Sequence, residues 1–371
     1  MHRRVAWGLL LAGAAGSLAV ANGGSARWPH ALEHGACARN KGRPDVLAWT
    51  APGATRLRAL LIIIANTDSK HFGEHAAVRA VAARRQMGIV YLRCGEVIRD
   101  LERHEAGRDK PIIQRILDAV AAETGIAEVR HAPWIPFGKS SMGRFPFYMA
   151  WAYPKRTIAS ISYHAETPTW PVAGWAHLDG ESILHVNVNG ETEWGGTWNR
   201  HVRPSLLNYR ARRGWLAHQV VVHDVGHGNY PDVHGGPGWG KPFPDRVTCI
   251  DVWNYLALFI DKALQARLPA DAYPTQGPIE LKQLDEASGY VIDPFAVERL
   301  FRLPRYPLER SPEGYVVDPE GGEPEPGFAV VPAASDYRPP EGVPVVAPPI
   351  GRPPSQWLIT EGLDFAMKQD P

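Results

Sequence analysis

Apolar and amphipathic stretches alternate along most of the chain. The run at 57–65 is strongly apolar and rich in β-branched residues, which predicts a strand buried on both faces. Further apolar runs predict strands at 88–93, 132–137, 159–163, 184–188 and 219–223. Helical spacing predicts helices at 74–87, 111–124, 205–214 and 252–267, with one more that ends near Pro154. This alternation predicts an α/β fold with a doubly wound, mostly parallel sheet.

The two ends of the chain differ from this central part. Residues 22–55 show little periodicity and predict an irregular arm. Beyond residue 269, proline and glycine cluster, and a short repeat at 289–294 and 314–319 predicts small strands that end in turns. The aromatic residues of this region are unusual for a disordered tail. We therefore predict an α/β domain over 22–269 and a Pro/Gly-rich C-terminal appendage over 270–371.

The N-terminus has the pattern of a secretory signal peptide. Arg3 and Arg4 precede an apolar run at 7–20, and an A-x-A cleavage pattern ends at Ala21. The apolar run is short for a membrane span. We therefore expect residues 1–21 to be removed, and the mature protein to be periplasmic or secreted without a membrane anchor.

Charge and cysteine content narrow the function classes. The 40 basic residues balance the 39 acidic ones, so nothing indicates a nucleic-acid partner. Cys37, Cys94 and Cys249 allow one disulfide and leave one thiol. The cysteines lack the spacing of metal ligands, so we predict no metal site.

A candidate nucleophile lies in the run GKSSMG, which begins at Gly138 after a predicted strand. A serine in a sharp turn between strand and helix is typical of a nucleophile elbow, usually written G-x-S-x-G. With Ser140 as the nucleophile, Gly138 lies two residues before it and Gly143 three residues after it. With Ser141, Gly143 lies two residues after it, but bulky Lys139 replaces the first glycine. Ser140 is the preferred nucleophile and Ser141 the alternative.

A catalytic serine needs a base and an acid, which in α/β hydrolases follow in the order serine, acid, histidine. The turn after the strand at 184–188 carries two glutamates. Glu193 lies three residues after a glycine and is the preferred acid, with Glu191 as the alternative. His227 lies between two glycines after the strand at 219–223 and is the predicted base. Three other histidines are expected to be structural or to line the pocket: His164, His223 and His234.

An oxyanion needs two backbone N–H donors. One is expected from Ser141, directly after the preferred nucleophile, and the other from the loop at Asn66 and Thr67. Asn66 could alternatively serve only as an Asx-turn residue. Three tryptophans lie in the insertion before the strand at 184–188 or beside the acid turn: Trp170, Trp194 and Trp198. They could stack on a sugar or aromatic ring, or could simply cap the core.

Taken together, residues 57–268 resemble the α/β-hydrolase superfamily on three motifs: the elbow at 138–143, the acid turn at 190–193 and the histidine loop at 226–228. The chain is most similar to secreted bacterial serine esterases of the feruloyl, acetyl-xylan and polyhydroxyalkanoate-depolymerase kind. Methionine in place of a small residue within the elbow departs from the usual pattern. The resemblance implies the α/β-hydrolase fold for 22–269 and a Ser140–Glu193–His227 triad.

The expected function is hydrolysis of carboxylic esters through an acyl-enzyme. A small-molecule or polysaccharide-linked ester is the expected substrate, with a carbohydrate-linked or aromatic acyl group. The mechanism requires no cofactor. Two alternatives stay open at this point: a serine peptidase of the same fold, and a catalytically inactive binding protein on a hydrolase scaffold. The oligomeric state does not follow from the sequence.

Overall fold

The structure is a computed structural model. The residues it describes are 28–37, 43–102, 111–165, 183–190, 193, 202, 216–222, 225–232, 248–283, 315–316 and 325–326. The predicted signal peptide, the helix predicted at 205–214 and the first copy of the C-terminal repeat lie outside these residues. Within the described part, no helix is long and apolar enough to cross a membrane.

An eight-stranded sheet forms the centre of the molecule, in the order β1-β2-β4-β3-β5-β6-β7-β8. Among these eight strands, β2 alone runs opposite to both of its neighbours, and the pairs from β4 across to β8 are all parallel. The strands are β1 (His30–Leu32), β2 (Val46–Trp49), β3 (Ala59–Ile64), β4 (Met87–Leu92), β5 (Trp134–Lys139), β6 (Ala159–Tyr163), β7 (Leu184–Gly190) and β8 (Leu216–Val222).

Helices cover both faces of this sheet. They are α1 (Ser69–Glu74), α2 (Ala76–Arg85), α3 (Glu96–Glu102), α4 (Ile112–Thr124), α5 (Phe145–Ala152) and α6 (Cys249–Arg267). Leu61 and Ile63 of β3 belong to an apolar cluster that includes residues of α1, α2 and α6. Ile62 faces a second cluster that includes residues of α3, α4 and α5. Each residue of β3 is therefore buried, and the predicted mostly parallel, doubly wound sheet is confirmed.

The prediction of an irregular N-terminal arm was wrong for two segments. β1 pairs with β2, and β2 pairs antiparallel with β4, with Val46 opposite Leu92. These strands have only three and four residues, too few for alternation to stand out in the sequence. A disulfide between Cys37 and Cys94 ties this arm to the residues that follow β4.

Helix boundaries also differ from the pattern. The helix predicted at 74–87 is α2, which begins at Ala76 and ends at Arg85 because Gln86 takes a left-handed conformation with φ 54°. The short helix α1, which ends at Glu74, was not predicted. The helix predicted at 252–267 begins at Cys249, three residues before its predicted start. Thr248 and Asp251 form a reciprocal capping box there, in which the side chain of each accepts the backbone N–H of the other. The N–H groups of Cys249 and Ile250 donate to the Asp232 carboxylate. The short helix α3 was not predicted.

A small strand lies in the second copy of the C-terminal repeat. It is β9 (Tyr315–Val316), which pairs antiparallel with β10 (Glu325–Pro326). The division of the chain at residue 269 stays a prediction.

Candidate active site

The turn between β5 and α5 forces Ser140 into an unusual backbone conformation. Ser140 has φ 54°, in the left-handed region, and begins a single 3₁₀ turn that ends at Met142. A Cβ atom on Gly138 would lie 2.1 Å from the backbone oxygen of Met142, and one on Gly143 would lie 2.0 Å from Ala165 Cβ. Both glycines are therefore required by close packing, and the strained serine at the tip of the turn fits a nucleophile elbow.

Ser140 is the serine of the turn that contacts His227. Its Oγ lies 2.8 Å from His227 Nε2. Ser141 is exposed, and its Oγ lies 3.4 Å from Asn66 Nδ2 instead. The geometry therefore favours Ser140 over Ser141 as the nucleophile, while the catalytic role of either serine stays a prediction.

Glu193 lies just beyond β7 and is completely buried. Its Oε1 contacts His227 Nδ1 within hydrogen-bond distance. Its Oε2 accepts hydrogen bonds from the Gly190 N–H at 3.0 Å and from Asn189 Nδ2 at 3.4 Å. A Cβ atom on Gly190 would lie 2.1 Å from the Val225 backbone oxygen, so this glycine lets the acid turn pack against the histidine loop.

Hydrogen bonds keep the Glu193 carboxylate ionised. Burial by itself raises the pKa of Glu193, but hydrogen bonds from His164, His227 and the Gly190 N–H outweigh it and hold the pKa below the ordinary value of 4.5. A negative charge is therefore fixed beside His227 Nδ1, where it can orient the ring and stabilise its protonated form.

The loop that carries His227 is held by its own hydrogen bonds. The Gly226 N–H donates to Asn229 Oδ1 at 2.5 Å, and the Gly228 N–H donates to the Gly226 oxygen at 2.7 Å. Gly228 has φ 78°, a conformation that favours glycine. The glycines around His227 thus permit the tight loop that presents its ring to Ser140, as the sequence pattern suggested.

A buried lysine connects the elbow to the loop after β3. Lys139 is 6% exposed, and its Nζ lies 3.1 Å from Asp68 Oδ2. Asn66 Nδ2 donates to the backbone oxygen of Lys139 at 2.6 Å. These two contacts, one charged and one neutral, fix the loop at 66–68 against the residue that precedes Ser140.

The predicted oxyanion donors in this loop are engaged elsewhere in the structure. The Asn66 N–H donates to Ser69 Oγ at 2.8 Å, and the Thr67 N–H donates to Asn66 Oδ1 at 2.6 Å. The Asn66 side chain is not limited to a local turn, because its amide nitrogen reaches the elbow. The loop is therefore in contact with the elbow through the side chains of Asn66 and Asp68 and not through these two N–H groups.

Some predicted site residues lie outside the described part of the chain. They are the alternative acid Glu191, the three tryptophans Trp170, Trp194 and Trp198, and the histidines His223 and His234. Their predicted roles stay predictions.

The structure adds His164 and Tyr230 to the residues around Glu193. His164 is fully buried, and its Nδ1 lies 3.0 Å from Glu193 Oε2. Its Nε2 lies 2.7 Å from the Tyr230 hydroxyl. His164 directly follows β6, at the edge of the sheet where Ser140 and Glu193 follow their strands, and this position was a usable signal in the sequence.

The nitrogens of His164 and His227 and a carboxylate oxygen of Glu193 lie within 4.8 Å of one another, close enough to hold a metal ion. Each histidine already places Nδ1 against its own oxygen of Glu193. Hydrogen bonding therefore accounts for this cluster of described residues, in which two histidines contact one carboxylate.

Comparisons with known proteins identify similar folds only. No protein-family model matches the chain, and no curated protein matches it. A truncated carbohydrate esterase from gut microbiota is 12% identical, with a TM-score of 0.41, over 65% of this chain and 98% of that one. The poly(3-hydroxybutyrate) depolymerase LpqC from Bordetella parapertussis is 14% identical, with a TM-score of 0.38, over 66% and 92% of the two chains. These likenesses concern the fold and indicate no substrate for this chain.

Proposed function

We propose that the protein is a secreted serine hydrolase that cleaves carboxylic esters through an acyl-enzyme. Ser140 is the nucleophile, His227 the base and Glu193 the acid. One observation carries the proposal: Ser140 Oγ lies 2.8 Å from His227 Nε2, and the other nitrogen of that ring contacts the buried Glu193 carboxylate. A nucleophile hydrogen-bonded to a base that is itself oriented by an acid is the arrangement required for acyl transfer.

The proposed reaction has two steps, acylation of Ser140 and hydrolysis of the acyl-enzyme, and both use the same residues. His227 Nε2 takes the proton of Ser140 as Oγ attacks the ester carbonyl, and the alcohol leaves with that proton. Water then attacks the acyl-enzyme, with His227 as its base, and releases the acid. Glu193 keeps the proton of the neutral ring on Nδ1, so that Nε2 is free to accept.

The oxyanion forms beside Ser141, on the side of the elbow that faces Asn66. The Ser141 N–H supplies one donor, as in other nucleophile elbows. The loop at 66–67 supplies the second, either through Asn66 Nδ2, which already reaches the elbow, or through the Thr67 N–H once it leaves Asn66 Oδ1. Removal of one such donor typically lowers kcat by about 10²–10³-fold.

The substrate part of the proposal rests on the sequence. Trp170 lies in the sequence insertion before β7, and Trp194 and Trp198 follow the acid turn. Their ring faces would suit a sugar ester or an aromatic acyl group. The N-terminal signal pattern suits an enzyme that meets such esters outside the cytoplasm. We therefore expect carbohydrate-linked or aromatic esters as substrates and no cofactor.

Labelling with a fluorophosphonate probe, followed by peptide mapping, tests the proposal. We expect labelling of the wild type that is lost in Ser140→Ala and kept in the matched control Ser141→Ala. Loss only in Ser141→Ala would move the nucleophile by one residue. A folded wild type that is not labelled would contradict the hydrolase and favour a binding protein. An active enzyme would then be assayed on acetyl, feruloyl and glucuronoyl esters, with peptide anilides to detect a peptidase.

A further inference from the structure

His164 is a buried histidine for which the proposed triad has no role. Its backbone is left-handed, with φ 47°, and its N–H donates to the Val188 oxygen at 2.6 Å. This conformation is uncommon for a residue with a side chain and is typical of functional sites. It directs the ring between Glu193 and Tyr230, so that both ring nitrogens have a polar partner.

The direction of each hydrogen bond follows from the chemistry of the partners. An ionised Glu193 can only accept, so His164 Nδ1 carries the hydrogen. Burial lowers the pKa of His164 below its ordinary value of 6.5, which keeps the ring neutral and leaves Nε2 as an acceptor. Tyr230 therefore donates its hydroxyl hydrogen to Nε2. The hydrogens shared among Glu193, His164 and Tyr230 are thereby assigned, and His164 is the tautomer that carries its hydrogen on Nδ1.

We propose that His164, held by Tyr230, is a positioning residue that orients the Glu193 carboxylate toward His227. The inference rests on the proposed function. The two histidines bind opposite oxygens of one carboxylate, so the hydrogen bond from His164 to Oε2 sets the rotation at which Oε1 faces His227 Nδ1. Without it, Oε2 keeps the Gly190 N–H and a long contact from Asn189, and the carboxylate can turn.

Substitution of His164 should affect turnover and leave substrate binding unchanged. His164 is fully buried and so does not touch substrate. We expect His164→Leu to lower kcat about 10- to 100-fold with an unchanged KM, because a hydrogen bond to a charged group is lost. Asn Nδ2 can occupy the position of His Nδ1, so His164→Asn should recover most of this loss. Asparagine also tolerates the left-handed backbone at this position, so a purely structural role predicts rescue of thermal stability without a separate rescue of kcat.

A matched control is available on the neighbouring strand. His185 is also fully buried, in β7, and its Nδ1 lies 2.6 Å from Ser160 Oγ. His185→Leu should lower thermal stability as His164→Leu does, while kcat on p-nitrophenyl acetate stays near that of the wild type. Equal effects of the two substitutions on kcat would overturn the inference. If His164→Leu does not fold, Tyr230→Phe is the alternative test. It removes the hydroxyl group that contacts His164 Nε2 and should lower kcat several-fold.

Proton NMR tests the arrangement without relying on activity. Imidazole N–H groups bonded to carboxylates resonate far downfield, and we expect two such signals in the wild type. His164→Leu should remove one and keep the signal of His227. A single wild-type signal that survives in His164→Leu would overturn the inference.

The kinetic results distinguish failure of this inference from failure of the proposed function. If the wild type is active and His164→Leu has the same kcat, the inference is overturned and the proposed function stands. A wild type that hydrolyses no ester overturns the proposed function instead, while the two signals would still report the hydrogen bonds.

Discussion

Replacement of Glu193 by glutamine tests the site most severely, because it changes one atom and removes one charge. The Gly190 N–H is a fixed donor that lies 3.0 Å from Oε2, and Asn189 Nδ2 lies 3.4 Å from the same atom. The glutamine must therefore keep its oxygen at this position and place its NH₂ group against His227 Nδ1. His227 would then accept at Nδ1 and carry its hydrogen on Nε2, where it points at Ser140 Oγ.

A histidine in this tautomer cannot take the serine proton. We expect Glu193→Gln to lower kcat about 10⁴-fold, which corresponds to about 5 kcal/mol of transition-state stabilisation. The assay is hydrolysis of p-nitrophenyl acetate at saturating substrate, together with the rate of fluorophosphonate labelling. Glu128→Gln is the matched control, because Glu128 is also a buried glutamate but precedes β5, at the end of that strand remote from Ser140.

The result that would refute this reasoning is specific. If folded Glu193→Gln kept kcat within about tenfold of the wild type, the carboxylate would not set the tautomer of His227. The proposed triad would then lack its acid. Circular dichroism of both glutamine variants separates this outcome from loss of fold.

Three further predictions concern packing, covalent linkage and pH. Gly143→Ala would place a Cβ atom 2.0 Å from Ala165 Cβ, and we expect urea unfolding to show a loss of about 1–3 kcal/mol. The double substitution Cys37→Ala and Cys94→Ala opens a loop with a sequence separation of 57, and its free energy of unfolding should fall by about 4 kcal/mol. Burial lowers the pKa of His75 from 6.5 to about 4. Its unfolded form therefore binds protons more readily, and about 3 kcal/mol of stability should be lost as the pH falls from 6.5 to 4. His75→Phe should remove that part of the pH dependence, measured by urea unfolding at several pH values.

Each of these predictions has a result that contradicts it. Gly95→Ala is the control for packing, since nothing lies within 4 Å of the added Cβ, and equal losses in both alanine variants would argue against a steric cause. If the double cysteine variant, the reduced wild type and the oxidised wild type all had the same free energy of unfolding, the disulfide would not stabilise the fold. An unchanged pH dependence in His75→Phe would assign the acid sensitivity to other groups.

The sequence predicted the centre of the sheet well because that part is buried on both faces. The run that became β3 is apolar at nearly every position, and the strand at Ala159–Tyr163 was predicted to the residue. β1 and β2 were missed because β1 pairs with β2, and β2 pairs with distant residues of β4, and local periodicity does not show such pairing. Pairing between such short strands depends on tertiary context.

Chain order was sufficient to bring three distant residues together in the prediction. Ser140, Glu193 and His227 each follow a parallel strand, and the carboxyl ends of parallel strands share one edge of the sheet. The same rule applies to His164, which follows β6, but a lone histidine gave no indication of its partner. The contact with Glu193 depends on side-chain directions that only the folded chain specifies.

The cysteines have a practical consequence. Of the three in the sequence, two form the disulfide and the third, Cys249, is buried at the start of α6. Burial raises the pKa of the Cys249 thiol to about 12, so it is almost entirely protonated and unreactive at neutral pH. A cysteine introduced anywhere on the surface would therefore be the one thiol that a maleimide dye or spin label can reach. Surface positions can therefore be labelled specifically without first removing a native cysteine. The rate at which Cys249 itself reacts would measure how often the core around the start of α6 opens.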